Sequence, residues 1–324
     1  MIIIVAIAVL VFIIPPCFWS SSCGSGLRSS NDIITIGYTS LNPANPQPNT
    51  NVIWQMVLNN NADRIKIDGV KLHFFGNLGL DISSNSLDCK DGNKTSDTDC
   101  VFDDFYQFDQ RAVFLTMRVI PNMLPSLLFK YFVNYNYNSN RSVSFPIIDG
   151  TSLQQPSVNS YFHQDPSITP TNPVSLNYQP QYTVQREING QKINDSWVVS
   201  GSEFYMTLNF KLATFQSFSC EKSPCETAII PAGQLKIDFT QSSRFITLKS
   251  CTCTGSPSSS CLNNETLYTL VSNQPIDVSK STPSSIQCFF DSNITTGEPQ
   301  VTGRIDTSYD VNYQFENMKS FSPG

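Results

Sequence analysis

Histidine is almost absent from this chain: His73 and His163 are the two in 324 residues. Ser/His/Asp and Cys/His mechanisms need a histidine base oriented by a third group. His73 sits in the strand-like run KLHFF and His163 in a proline-rich stretch, neither next to a nucleophile in sequence. Basic charge is scarce as well. Twenty Lys and Arg face 26 Asp and Glu, a net charge of −6. Without a cationic excess to neutralise phosphates, nucleic acid is not an expected partner. Charged residues of both signs reach only 14% of the chain, where a soluble globular protein carries about a quarter. Ser, Thr, Asn and Gln supply the polarity instead, as suits strands with neutral outer faces in an extracellular setting. G-x-S-x-G, H-E-x-x-H, phosphate loops and the C-x-x-C of thiol redox chemistry are all missing. No cofactor is expected and no enzyme activity. Paired carboxylates of a secreted glycoside hydrolase are defined by distance in space, not in sequence, so that activity stands as a third reading.

Long apolar runs are missing too, with one exception. Met1 to Ile14 are all apolar, and Pro15 and Pro16 follow. As helix this run rises about 21 Å, short of a hydrocarbon core of about 30 Å. Its length fits the apolar region of an export signal, and Ser20 and Ser22 fit small-residue cleavage before Cys23. Residues 1–25 are therefore expected to be a signal peptide. The alternative is an anchor or assembly helix that holds the membrane through residues 1–19.

An exported chain meets an oxidising compartment, so its cysteines are read first as disulfides. Cys17 and Cys23 lie in the leader. The other eight are Cys89, Cys100, Cys220, Cys225, Cys251, Cys253, Cys261 and Cys288. Cys89 and Cys100 stand alone in the first half and are expected to pair. The pairing of the other six stays open, except that Cys251 and Cys253 lie too far apart along a strand to bond each other. Their spacings match no zinc ribbon and no histidine is near, so no metal site is expected from them.

Period-two alternation runs nearly everywhere. NVIWQMVLNN sets Val52, Trp54, Met56 and Leu58 on one side; EFYMTLNFKL does the same with Phe204, Met206, Leu208 and Phe210. RIDTSYDVNYQFE places Ile305, Tyr309, Val311, Tyr313 and Phe315 against Asp306, Ser308, Asp310, Asn312 and Gln314. Such runs are half-buried antiparallel strands. Asn189-Gly190 is a hairpin-turn signal. Helical periodicity is lacking, and Pro125 interrupts the best short candidate, PNMLPSLLF. The expected fold is all-β: two antiparallel sandwiches, Ig-like or jelly-roll-like in pattern, after an N-terminal hydrophobic helix. Five prolines between 151 and 180 mark a linker. The expected division is a first domain over 30–150 with one disulfide, a linker over 151–180, and a Cys-rich second domain over 181–324.

Three groups of residues carry candidate binding chemistry. Asp97, Asp99, Asp103 and Asp104 fall in and beside the Cys89–Cys100 loop, where hard oxygen ligands suit Ca²⁺; a solvated acidic loop is the plainer explanation. Tyr131, Tyr135 and Tyr137 alternate with amides in LFKYFVNYNYN. Aromatic rings flanked by amides suit glycan contact, although strand aromatics more often pack a core. N-glycosylation triplets begin at Asn93, Asn140, Asn194, Asn264 and Asn293. A chain this rich in Asn, Ser and Thr yields such triplets by composition, so their number carries no weight. Together these features predict an extracellular or cell-surface structural and interaction glycoprotein. Its expected partners are other surface proteins or copies of itself, with glycan binding as the alternative.

Overall fold

The computed structural model describes residues 32–61, 66–81, 86–121, 126–148, 163–164, 173–181, 185–188, 191–194, 198–214, 216–253, 262–280, 284–294 and 300–321. The leader, Cys261, the Asn189-Gly190 turn and most of the expected linker lie outside them. Within them the fold is almost entirely antiparallel strand, and helix is confined to a 3-10 turn at Thr240–Ser242. No helix among the described residues is long and apolar enough to cross a membrane.

Two strands organise the molecule. Leu127–Ile148 and Gln300–Phe321 each hold 22 residues. They pair antiparallel along their whole length, from Leu127 opposite Phe321 to Ile148 opposite Gln300. At about 3.3 Å per residue the pair extends roughly 70 Å. We call them the first and second spine strands. Val70–Leu78 adds to the free edge of the first near its start, and Asp99–Phe102 adds to Val70–Leu78 in turn. His163–Gln164 pairs further along that edge, and Val198–Val199 runs parallel to its end. On the far edge of the second spine strand lie Glu226–Ile230 and Leu235–Asp238, which extend the sheet to Thr269–Ser272 and Leu262–Thr266.

Alternation that keeps one phase through both spine strands, with Ser139 and Arg141 the polar members of the inward set on the first, explains their length. Successive side chains of a strand point to opposite faces. Tyr131, Val133, Tyr135, Tyr137, Val143, Phe145 and Ile147 are all buried, and so are Val301, Ile305, Tyr309, Val311, Tyr313 and Phe315. One face of the long sheet is thus covered from end to end. Two smaller sheets cover it. Near one end lies an N-terminal sheet ordered Ile34–Asn42, Asn51–Asn60, Gln110–Val119, with the short strands Leu80–Asp81 and Leu87–Cys89 on its far edge. Its Trp54 packs 4.8 Å from Phe129 and 5.2 Å from Phe321, between ring centroids. Near the other end lies a C-terminal sheet ordered Val174–Gln181, Glu203–Leu212, Ser284–Ser292, Ile246–Cys253. Its Phe204 meets Phe145 at 5.4 Å and its Phe210 meets Tyr309 at 5.5 Å. Gly303 sits directly across from Phe145, and a Cβ there would come within 2.5 Å of the Phe145 ring. Glycine lets that ring lie over the neighbouring strand.

Three disulfides join described residues. Cys89–Cys100 links Leu87–Cys89 of the N-terminal sheet to Asp99–Phe102 of the long sheet, so it staples the two layers together. Closing so short a loop stabilises by roughly 2–3 kcal/mol on the loop-entropy account. Cys251–Cys288 bridges residues directly opposite each other on neighbouring strands. Cys220–Cys225 closes a short connection ahead of Glu226–Ile230. Cys253 is also disulfide-bonded.

The division expected from sequence needs correction. Val174–Gln181, inside the expected linker, is a strand of the C-terminal sheet. The second spine strand begins beneath the C-terminal sheet and ends beneath the N-terminal one. Phe321 therefore completes the first lobe, against Trp54, although it lies at the far end of the chain. The buried side chains of both lobes form one contiguous core. A strand with no break in its alternation has no place to stop at a domain boundary.

Candidate functional site

The uncovered face of the long sheet is the most distinctive surface. From Asn134 to Asn140 on the first spine strand, the outward residues are Asn134, Asn136, Asn138 and Asn140. Opposite them in register are Gln314, Asn312, Asp310 and Ser308. The result is a ladder of neutral polar pairs with a single charge, at Asp310. Asn138 Nδ2 donates to Asp310 Oδ1 at 2.6 Å. Asn136 and Asn312 are exposed, and neither side chain hydrogen-bonds within the described residues. A cleft of about 550 Å³ opens over these rungs, lined by Asp68, Asn136, Asn138, Gln234, Asp310 and Asn312. Pro231, in the connection between Glu226–Ile230 and Leu235–Asp238, also lines it, and so does Tyr137, which is 4% exposed.

The same face continues past Asn134 to an aromatic group. Phe132 stands opposite His73 of Val70–Leu78. Ring centroids lie 4.9 Å apart for His73 and Phe132 and 5.8 Å for Phe75 and Phe132. All three rings are half-buried. His73 Nδ1 lies 2.6 Å from Asp99 Oδ1. Burial opposes ionisation of Asp99, but hydrogen bonds from Ser96 and His73 outweigh it and hold the carboxyl below its ordinary range.

The tyrosines singled out from the sequence lie on the other face. Tyr131, Tyr135 and Tyr137 are 0%, 1% and 4% exposed. This corrects their reading as glycan contacts, because a ring with both faces packed offers nothing to a sugar. Their alternate neighbours, Phe132 and the amides, are the residues that face outward. Two of the tyrosine hydroxyls serve the fold: Tyr131 Oη accepts from Asn317 Nδ2 at 2.9 Å, and Tyr137 Oη accepts from Val174 N at 3.1 Å.

The acidic cluster is dispersed. Asp97 pairs with Lys94 at 2.8 Å, Asp104 with Lys66 at 2.9 Å, and Asp103 accepts from Gly69 N at 3.0 Å. Asp99 is occupied by His73, as above. Each carboxylate meets a donor of its own, and no three His, Cys, Asp or Glu among the described residues gather as a metal-binding set. Asn93, Asn140, Asn264 and Asn293 are exposed on strands or just beyond them. Asn194 lies on Gln191–Asn194, which pairs with Gln185–Ile188 across the expected hairpin turn.

A second polar site, unsuspected from sequence, lies at the waist between the small sheets. Glu226 is 8% exposed and accepts from Lys280 Nζ at 2.6 Å, Thr214 Oγ1 at 2.5 Å and Tyr313 Oη at 2.9 Å. Gln216 bridges toward the N-terminal sheet: its backbone N–H donates to Asp32 at 2.9 Å and its side-chain amide to the Ile34 carbonyl at 3.2 Å. A cavity of about 620 Å³ adjoins, lined by Thr214, Gln216, Phe218, Cys225, Glu226 and Lys280. These partners come from distant parts of the chain, so no local motif announces them. A buried carboxylate with every donor matched is a clamp. Glu226→Ala is expected to cost about 2–3 kcal/mol, because Tyr313 would keep a buried hydroxyl, and Thr214 a half-buried one, without their acceptor. Denaturant midpoints check this, and a change below about 0.5 kcal/mol would be that of an ordinary surface position.

What fold and covalent structure define is a class: a disulfide-bonded, antiparallel β protein built on one long sheet. No protein-family model matches the chain, and no curated protein does. Among solved structures, the C-terminal domain of the Streptococcus agalactiae AgI/II polypeptide BspA aligns at 10% identity, over 87% of this chain and 94% of that one, with a TM-score of 0.18. The collagen binding domain of the Erysipelothrix rhusiopathiae surface protein RspB aligns at 11% identity, over 90% and 97%, with a TM-score of 0.17. The secreted serine protease VesC of Vibrio cholerae aligns at 11% identity and a TM-score of 0.16 over 81% of this chain; the match spans 47% of the protease, about half its length. Likeness this slight defines no shared fold.

Proposed function

We propose that this chain is a cell-surface or secreted structural and interaction glycoprotein, serving adhesion or surface assembly rather than catalysis. The observation that carries the reading is the long sheet: two 22-residue strands in full register, covered on one face and open on the other over their middle, from Asn134 to Asn140. Such a body presents a hydrogen-bonding surface of amides and hydroxyls on a rigid frame, with charged residues such as the Arg304–Asp306 pair beyond it. The disulfides support an oxidising compartment, and the exposed acceptor asparagines are compatible with glycosylation there. Residues 1–25 direct export in this reading, or anchor the body if they are retained. The test uses the full chain passed through a secretory pathway. The expected result is oxidised, glycan-bearing protein at the cell surface or in the medium that associates with itself or with cell surfaces in sedimentation and cell-binding assays. A reduced protein held inside the cell would overturn the reading. So would a secreted one that stays monomeric at high concentration and binds no cell.

A further inference from the structure

We propose that the open face of the long sheet, from Phe132 to Asp310, is a binding track for a neutral, linear oligosaccharide. The proposal rests on the surface-interaction reading above and names the ligand class for that surface. Three observations carry it.

First is the chemistry of the rungs. From Asn134 to Asn140 and from Ser308 to Gln314, the outward side chains are carboxamides and a hydroxyl apart from Asp310. A carboxamide offers both donors and acceptors, as does a sugar hydroxyl. Asp310 has one oxygen engaged by Asn138, and its other oxygen can accept a charge-assisted bond from a hydroxyl. Two cations flank the rungs, Lys71 in register with Asn134 and Lys236 in register with Ser308, the latter paired with Glu265. The cleft between them holds only the carboxylates of Asp310 and Asp68, which disfavour an acidic glycan, a phosphate or a nucleic acid there.

The second observation is the cleft. Its volume of about 550 Å³ falls in the range of small-ligand sites. The exposed amides of Asn136 and Asn312 meet there in register with no hydrogen bond inside the described residues. The third is the platform. Phe132 and Phe75, with His73 beside them, present half-buried rings on the same face. Phe132 lies four residues from Asn136 along one strand, roughly 13 Å, a span that a short oligosaccharide bridges. Aromatic faces stack on the C–H faces of sugars while amides take the hydroxyls. A protein partner would instead call for a broad apolar centre, and here the apolar side chains are the rings around Phe132 at one end and the lone exposed Ile229 beside Asn312.

The test measures binding of the full, oxidised chain to short linear oligomers of glucose, mannose and N-acetylglucosamine, with sialylated and sulfated oligosaccharides as the charged arm. The expected result is saturable binding to at least one neutral series and none to the charged arm. Phe132→Ala, and separately the double variant Asn136→Ser, Asn312→Ser, should each weaken that binding about tenfold, the loss of one good contact. Circular dichroism and melting temperature should stay at wild-type values for the double variant, whose positions are exposed. Binding that these variants leave unchanged overturns the proposal, as does binding confined to charged glycans. If every oligosaccharide fails while the chain still binds cells or itself, the glycan track falls and the interaction reading stands. If cell binding and self-association fail as well, both fall.

Discussion

Raising the pH above 10 is expected to unfold this protein in one cooperative step. Burial pushes the hydroxyls of Tyr131, Tyr135, Tyr137, Tyr178 and Tyr313 above their ordinary value of 10.0. For Tyr313 the neighbouring Tyr135 and Glu226 push the same way, and for Tyr137 so do Tyr309 and Tyr135. The sign follows from linkage. Each group titrates near 10 in the unfolded chain and higher in the fold, so its contribution to stability is full below pH 10 and is lost as the pH rises beyond it. Each raised group removes about 1.4 kcal/mol per pH unit, or roughly 7 kcal/mol for the five. Since a domain is stable by about 5–15 kcal/mol, the transition should finish within about two pH units. Tyrosinate absorbance and far-ultraviolet circular dichroism, followed together, should change at the same pH. Ionisation of all 12 tyrosines around pH 10 with the strand signal intact would contradict the burial of these rings along the spine.

Deleting residues 310–324 is expected to unfold the N-terminal lobe, although most of that lobe's sequence would be untouched. The deleted half-strand carries Val311, Tyr313 and Phe315, all buried on the covered face, and Phe321, which packs on Trp54. Burial of three such side chains stabilises by roughly 6 kcal/mol, a large fraction of a domain's whole stability. The first spine strand would also lose its partner from Leu127 to Asn138 and present an apolar edge open to aggregation. Backbone amides of Asn51–Asn60 and Gln110–Val119 should lose their hydrogen-exchange protection. A chain of two independent sandwiches behaves in the opposite way, its first domain indifferent to the loss of the C-terminus. Retained protection in those strands would mean that the lobes are independent.

The strands themselves were legible residue by residue. Val52, Trp54, Met56 and Leu58 read as one side of a strand and are buried in one. Phe204, Met206, Leu208 and Phe210 do likewise, as do the alternate residues from Ile305 to Phe315. The same rule misplaced a site. In LFKYFVNYNYN both parities carry aromatic residues, so alternation alone does not say whether Tyr131, Tyr135 and Tyr137 or Phe132 faces outward. Burial of the tyrosine parity puts the surface chemistry on Phe132 and its amides instead. The waist was invisible because hydrogen bonding gathers Thr214, Glu226, Lys280 and Tyr313 without any shared motif.

Composition and period two determined the class by themselves: strands, outer faces rich in neutral polar residues, cysteines suited to an oxidising compartment and a net negative charge. These follow from local rules, since side-chain alternation and charge count are properties of neighbouring residues. Tertiary structure decided which strand lies beside which, and so how many bodies the chain makes. Leu127–Ile148 and Gln300–Phe321 are separated by about half the chain, and no local signal sets their register. Only the joint burial of two matching apolar faces, with every main-chain group on the shared edge hydrogen-bonded, brings them together. That pairing turns two expected domains into one body on a common spine, and it determines which face is left open to a partner.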